Sequence, residues 1–338
     1  LTPIADGGDG SLDILLGKDF KKVEVASFNA LMEPIQTYYG ISESVGKRIA
    51  FIEMANICGI ASLKGRQLQP LFASSFGLGN VAAQIIVDGI DEIIISVGGS
   101  ASTDGGLGFL AGLGAIIRNN QGACVSPDLF GLREVESIDL SGLHPRIHPW
   151  SSSVKWSFLV DVSNPLTGPE GTAYVFGPQK GLQPNELEEA DIALRGWAQL
   201  LEKIRGIDVQ DIKGTGAAGG VASPALAIFG ATITSGADWF ATQLGLDQKI
   251  ADSDLVITGE GLLDRQSFSG KGTGYILEKS LQLGKKVALV AGQIEPGLTN
   301  IAQIPSVSLE DIAGSVDAAL QDPKKWLSQA TLKLMDSL

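Results

Sequence analysis

An α/β fold in two domains is what this sequence predicts, and three observations predict it. Three short apolar runs, at residues 92–97, 154–160 and 254–258, each lead into a polar, glycine-rich segment, the pattern of buried strands whose carboxyl ends carry functional loops. Residues 254–292 read as strand, helix, strand, and joining parallel strands through a helix requires a parallel layer. A chain of 338 residues, 44% of them hydrophobic, is long enough for two cores.

Taken in order, Val23-Glu24-Val25, Ile35-Gln36-Thr37-Tyr38-Tyr39 and residues 48–54 are short β-rich runs separated by turn residues. They predict antiparallel strands. From 78 to 89 the spacing of Val81, Ala82, Ile85 and Ile86 predicts a helix that feeds the strand at 92–97. After Gly98-Gly99 come Ser100, Ser102, Thr103 and Asp104, and helical character resumes over 107–117. The strand at 154–160 leads into a loop of metal-ligand and turn types from Asp161 to Gly168. Pro184 opens a helix in which Leu187, Ala190, Leu194, Trp197, Leu201 and Ile204 recur at steps of three and four, an apolar face for packing. Residues 276–283 then predict a helix and 286–292 a buried strand. No repeat, low-complexity segment or linker interrupts the chain, so the domains are expected to be joined by interwoven crossings, without a flexible tether.

Composition narrows the partners. With 25 basic against 38 acidic residues the formal net charge is -13, the wrong sign for nucleic acid or an anionic membrane surface. A small molecule is the expected ligand. No apolar run reaches the roughly 18 residues of a spanning helix, and the start, Leu1-Thr2-Pro3-Ile4, lacks the pattern of a signal peptide. Cys58 and Cys124 have neither redox nor metal-ligand spacing, which suits a reducing cytosol. A cytoplasmic protein, monomer or homodimer, is expected.

Five glycine-bracketed motifs carry the chemistry: Asp6-Gly7-Gly8-Asp9-Gly10, Gly98-Gly99-Ser100 with Asp104-Gly105-Gly106, Phe176-Gly177-Pro178-Gln179-Lys180-Gly181, Gly214-Thr215-Gly216-Ala217-Ala218-Gly219-Gly220, and Thr258-Gly259-Glu260-Gly261 with Asp264. Glycine lets backbone approach a ligand, and carboxylates can hold a cation. Phosphoryl transfer needs these parts and little covalent work from the protein. Asp6, Asp9, Asp104, Asp161, Glu260 and Asp264 are candidate Mg²⁺ ligands or bases, and Lys180, Arg265 and Lys271 candidate phosphate or carboxylate partners. No G-x-x-x-x-G-K-[ST] occurs, which excludes a standard P-loop.

Ordinary readings stand beside these. The 214–220 segment fits either an anion-binding helix N-terminus or close packing. Ser100, Ser102 and Thr103 serve either a ligand or a helix cap. Glu260, set between glycines after an apolar strand, favours contact with ligand or metal over a solvated turn. His144 and His148 are each followed by proline, which breaks the helix that would bring them onto one metal. With no other histidine, any base is expected to be a carboxylate.

In this order the motifs resemble the bacterial glycerate kinases of glycerate and glyoxylate utilisation. The matching residues include Ala5 to Gly10, Val97 to Ser102, Asp104-Gly105-Gly106, Asp161-Val162, Asn164-Pro165-Leu166, Phe176 to Gly181, Gly216 to Gly220, Thr258 to Gly261, Asp264, Gln266-Ser267 and Gly270-Lys271, nearly the whole chain. The family's upstream Asp-Ser-Phe-Lys segment is absent from the numbered residues, and the expectation is that the numbering is truncated or incomplete there.

The resemblance implies phosphorylation of D-glycerate by Mg-ATP, with 2-phosphoglycerate the usual product. It implies two dissimilar α/β domains with the site between them: a flavodoxin-like one with a parallel sheet, at 1–18 plus about 215–338, and a mixed-sheet one inserted at about 19–214. Either Asp161 or Asp6 would position the acceptor hydroxyl, and Lys180 would neutralise transferring charge. Arg265 or Lys271 would hold the substrate carboxylate, with Asn164 and Ser267 also at the substrate. Gly98, Gly99, Ser100, Ser102, Gly216, Gly219 and Gly220 would cradle the nucleotide, and Asp9, Glu260, Asp264 and Asp104 would serve the metal. A kinase of another small hydroxy acid, or a non-catalytic sensor of a phosphorylated metabolite, is the alternative.

Overall fold

The computed structural model describes residues 1–44, 46–149, 152–268, 272–298 and 301–338. The chain divides into two compact units, one of Gly7–Thr234 and one of Leu1–Asp6 with Ser235–Leu338.

The larger unit is built on a six-stranded mixed sheet. A short helix, α1 (Ser11–Leu16), precedes strands β1 (Lys21–Phe28), β2 (Pro34–Ser44) and β3 (Lys47–Glu53). After α2 (Ala55–Cys58) and α3 (Phe76–Val87) come β4 (Glu92–Ser96), α4 (Leu107–Gly112), β5 (Ile116–Arg118), α5 (Leu129–Leu132), β6 (Ser137–Asp139) and β7 (Lys155–Leu159). The long helix α6 (Leu187–Arg205) and β8 (Thr232–Thr234) complete it. The sheet order is β1-β2-β3-β4-β7-β8. The first three strands are antiparallel and β3, β4, β7 and β8 parallel, so four adjacent strands end on the same side.

Alternation along the strands divides the two faces. Ala50 and Ile52 on β3, Ile93 and Ile95 on β4, and Trp156 and Phe158 on β7 join one large core with Val81, Ile85, Phe109 and Trp197. On β3, Phe51 instead makes an edge-to-face contact with Phe20. The buried face of α6, Ala190, Leu194, Trp197 and Leu201, is the one its spacing predicts. One element differs: the helical run expected over 107–117 stops at Gly112, Gly114 takes φ 110°, and residues 116–118 pair with β6 instead. Glycine admits that positive φ, and the turn ends the helix.

The sequence drew its rough domain lines near 18 and 214. In the structure α1 packs on β2 and β3, and β8 extends the sheet beside β7, so 7–18 and 215–234 go with the larger unit.

The smaller unit has helices α7 (Gly236–Leu244) and α8 (Leu246–Ala251), then β9 (Leu255–Thr258), β10 (Leu262–Leu263), α9 (Gly272–Gln282), β11 (Lys286–Ala291), β12 (Gln293–Ile294), β13 (Ser306–Ser308), α10 (Leu309–Ala313), α11 (Val316–Gln321) and α12 (Pro323–Asp336). Its main sheet, β13-β11-β9, is wholly parallel, as the strand-helix-strand reading requires. Val287, Leu289 and Ala291 of β11 enter one apolar cluster with Leu277 of α9, and Ala288 and Val290 enter another with Ala330 and Leu334 of α12. Covering both faces is what a parallel sheet demands. Among the described residues no helix is long and apolar enough to cross a membrane.

Candidate active site

In the larger unit, three segments meet at the carboxyl ends of the parallel strands. The first is the turn 7–10. A methyl group added to Gly7 would meet Leu159 Cβ at 3.6 Å and Ser96 Cβ at 3.7 Å, so this turn lies over the ends of β7 and β4. The second is the loop 98–106, whose Gly98 N–H donates to the Gly7 carbonyl at 3.2 Å. A Cβ on Gly98 would stand 2.7 Å from Gly8 Cα, closer than any side chain allows. Gly99 takes φ 71° and lies under the Asp9 carboxylate. Glycine is thus required at 98 by close approach of backbone and at 99 by the positive φ.

The third segment carries Lys180. A π-helical turn, Thr172–Phe176, runs into a 3-10 turn, Pro178–Lys180, closed by Gly181 at φ 102°. This directs the lysine inward: it is 3% exposed, and its Nζ donates to Ser100 Oγ at 2.8 Å and to the Ser102 carbonyl at 2.5 Å. Both of these hydrogen-bond acceptors are neutral, and burial pulls its pKa down from 10.5 to about 7, with Asp104 opposing that shift. The loop is also fixed from its other side, where Ile60 N–H donates to the Gly99 carbonyl at 2.8 Å and Ala101 N–H to Cys58 at 2.9 Å.

Asp104, expected among the metal ligands, has a different task. It is fully buried, and its carboxylate accepts from Ser75 N at 2.8 Å, Ser75 Oγ at 2.7 Å, Gly106 N at 3.2 Å and Gly108 N at 3.2 Å. Three of these donors converge on Oδ2 and one on Oδ1, so the carboxylate is engaged by protein on both oxygens, and two of the donors are N–H groups at the start of α4. Burial pushes its pKa up, against hydrogen bonds that favour the ionised form. Since Asp104 caps α4, Ser102 and Thr103 do not: their hydroxyls are buried with no partner among the described residues.

The glycines expected at the nucleotide have a packing explanation. A Cβ on Gly220 would lie 2.9 Å from Gly105 Cα, one on Gly219 2.9 Å from Thr103 Cα, and one on Gly216 3.0 Å from the Asn164 carbonyl oxygen. Gly105 N–H donates to the Gly219 carbonyl at 2.8 Å, and Gly214 and Gly216 N–H donate to Asn164 at 3.1 and 3.0 Å. The 214–220 turn therefore seats the loops after β4 and β7. Asn164, expected at the substrate, gives its side-chain nitrogen to the Glu170 carbonyl at 2.7 Å. Asp161 follows the end of β7 and is half-buried.

Sequence reasoning missed Glu53. At the end of β3, 1% exposed, it accepts from Gly10 N at 2.8 Å and Leu12 N at 2.7 Å. Burial raises its pKa, while the two backbone bonds lower it. The available signal was a glutamate inside the apolar run Ala50-Phe51-Ile52-Glu53-Met54.

In the smaller unit, the loop after β9 is braced by Gly292 N–H to the Glu260 carbonyl at 3.0 Å and Gln293 N–H to Gly261 at 2.9 Å. Glu260 is half-buried, and its Oε1 is buried with no partner among the described residues. Asp264 and Ser267 cap each other: Ser267 N donates to Asp264 Oδ1 at 3.0 Å, and Asp264 N to Ser267 Oγ at 3.1 Å. Ser267, expected at the substrate, is 1% exposed and spent on this turn. Asp264 also lines a cleft of about 690 Å³ with Glu295, Glu310 and Asp311. Arg265 is exposed, Asp6 is half-buried, and Lys271 lies outside the described residues. Among the described residues no three His, Cys, Asp or Glu side chains converge as a metal site. Within the smaller unit, the unpartnered carboxylate oxygen of Glu260 is a hard-oxygen donor of the type Mg²⁺ takes.

The whole chain, residues 1–338, matches the glycerate kinase family. The glycerate 2-kinase of Escherichia coli K12 is 36% identical over 341 residues, covering 100% of this chain and 88% of its own. A glycerate kinase of Bacillus cereus is 33% identical over 302 residues, 88% and 77% of the two chains. A crystal structure assigned as glycerate kinase 2 from Salmonella typhimurium LT2 superposes with a TM-score of 0.76 at 33% identity, over 100% of this chain and 89% of that one. Sequence, fold and motif order agree, and the chain belongs to the glycerate kinase family.

Proposed function

We propose that the protein phosphorylates D-glycerate with Mg-ATP as donor, giving 2-phosphoglycerate. The observation that carries this reading is the convergence, at the ends of β3, β4 and β7, of a glycine turn, the Asp9 carboxylate over it and the Lys180 ammonium beneath it. Such a loop suits a phosphate group, which backbone N–H groups and a nearby cation stabilise. When bound, Mg-ATP supplies the transferable phosphoryl group with its charge partly neutralised.

The protein's part is positioning. Ser100, with Gly99, is assigned to phosphate oxygens, Gly98 shapes the turn through its N–H bond to Gly7, and Lys180 acts on the phosphate from beneath the loop it braces. Asp161, at the end of β7, is assigned to the acceptor hydroxyl, which it orients or deprotonates, and Asp6 is the other carboxylate for that role. In the smaller unit, the unpartnered Glu260 oxygen suits a cation, and Arg265 suits a carboxylate through its planar guanidinium. Lys271 shares that assignment by motif.

The test is a panel of small hydroxy acids offered with Mg-ATP, each product identified by phosphorus and proton NMR. D-Glycerate is expected to give the highest kcat/KM, with phosphate on the C2 oxygen. A better substrate elsewhere in the panel overturns the acceptor, and phosphate on C3 overturns the product.

A further inference from the structure

We propose that Glu53 is a positioning residue: through the Gly10 and Leu12 amides it fixes the turn 7–10 and so holds the Asp9 carboxylate over the Gly98-Gly99 turn. The helix that follows this turn has no cap of its own. Its N-cap is Gly10, in the left-handed region at φ 82°, with no side-chain hydrogen bond. The free N–H groups at a helix start need an acceptor, and here it comes from another element. Glu53 is more than forty residues away in sequence, and places one oxygen on Gly10 N at 2.8 Å and the other on Leu12 N at 2.7 Å.

The carboxylate sits where its hold matters. Glu53 is the last residue of β3 and pairs in register with Ser96, the last of β4. Loop 98–106 begins two residues beyond Ser96, and its Gly98 N–H bonds to Gly7. Asp9 lies between Gly7 and Gly10, so both ends of its turn are pinned: Gly7 to the loop after β4, and Gly10 to Glu53. With no side chain on Gly7, Gly8 or Gly10, the turn is held through bonds to its backbone: Gly98 N–H to Gly7, the Glu53 carboxylate to Gly10, and Ser11 Oγ, which donates to the Gly8 carbonyl at 2.6 Å. Burying a carboxylate is costly unless it is well hydrogen-bonded, and two charge-assisted bonds to backbone N–H groups meet that condition.

That Asp9 serves the reaction, at the metal as the family resemblance implies, rests on the reading under Proposed function, so the test has one arm independent of activity. Glu53→Gln keeps the size but turns one acceptor into an NH₂ group facing a backbone N–H. Amide exchange of Gly98 and Gly10 is expected to rise at least about tenfold in this variant, with β7 amides unchanged within about twofold. Unchanged exchange at Gly98 and Gly10 overturns the positioning role, whatever the substrate.

The activity arm is a double-mutant cycle with Asp9→Asn. Glu53→Gln is expected to lower kcat about 10–100-fold in the wild type, because small displacements of a positioned group cost that much. In the Asp9→Asn background it is expected to cost less than about threefold. Equal losses in the two backgrounds overturn the link to Asp9. If Glu53→Gln does not fold, Glu53→Asp, which keeps the charge and withdraws it by one methylene, replaces it in both arms with the same outcomes at smaller amplitude. A wild type that shows no glycerate-dependent turnover sinks the functional reading, while the exchange arm still decides the positioning.

Discussion

Replacing Lys180 by Met would test the loop architecture through its pH dependence. In the folded protein burial holds the ammonium pKa at about 7, against 10.5 ordinarily. The folded state therefore binds this proton less tightly than the unfolded chain. Its cost to stability is fully present below pH 7 and falls as the pH rises from there toward 10.5. By linkage the cost is about 5 kcal/mol at pH 6 and about 2 kcal/mol at pH 9. Met removes it at both pH values, and also removes the donors to Ser100 Oγ and the Ser102 carbonyl, a pH-independent loss of about 1–3 kcal/mol for each buried group left unpaired.

The bond losses cancel when two pH values are compared. Wild type should therefore gain about 2–3 kcal/mol relative to Lys180→Met between pH 6 and pH 9. Urea unfolding of both proteins at each pH, followed by tryptophan fluorescence, measures this, since Trp156 and Trp197 are buried in the larger unit. A difference that stays constant within about 0.5 kcal/mol would mean that Lys180 titrates near its ordinary value. It would then be hydrated, and the closed arrangement over Ser100 and Ser102 would be refuted.

Other substitutions separate structural from chemical roles. Asp161→Asn is expected to lower kcat about 10²–10⁴-fold with Mg-ATP affinity nearly unchanged; steady-state kinetics with nucleotide titration checks both, and an unchanged kcat removes Asp161 from the acceptor. Asp104→Asn should cost about 3–5 kcal/mol of stability, because an amide cannot accept from all four donors, while the Mg²⁺ dependence of the folded variant stays as in wild type. A large rise in the Mg²⁺ requirement would return Asp104 to the metal. Gly220→Ala meets both a positive φ of 88° and a backbone contact at 2.9 Å, and is expected to lower the melting temperature by several degrees; an unshifted melt contradicts the close packing of the 214–220 turn.

The elements read most directly from sequence were those whose burial is uniform. The strands at 92–97 and 154–160 are largely apolar because these parallel strands are covered on both faces, whereas the equally apolar run at 254–258 lies at its sheet's edge and leaves Ile257 41% exposed. The face of α6 follows from its spacing alone. The glycines at 98 and 99 announced a close approach, and the structure supplies it with Gly8 and Asp9. What local pattern cannot carry is the partner of a side chain. A carboxylate within a glycine loop reads as a ligand, and Asp104 has that pattern; its four donors come from the start of α4 and from Ser75, 29 residues away. The packing of Gly219 and Gly220 depends on Thr103 and Gly105 in the same way. Glu53 went unread because its donors, the Gly10 and Leu12 N–H groups, are brought to it only by the folding of α1 onto β2 and β3.

The central claim is a phosphoryl transfer to glycerate, and ADP release measures it most directly. The full-length protein, given Mg-ATP, should release ADP in proportion to D-glycerate consumed, and negligible ADP without it. Release that does not depend on glycerate, or none at all from folded protein, would contradict the account.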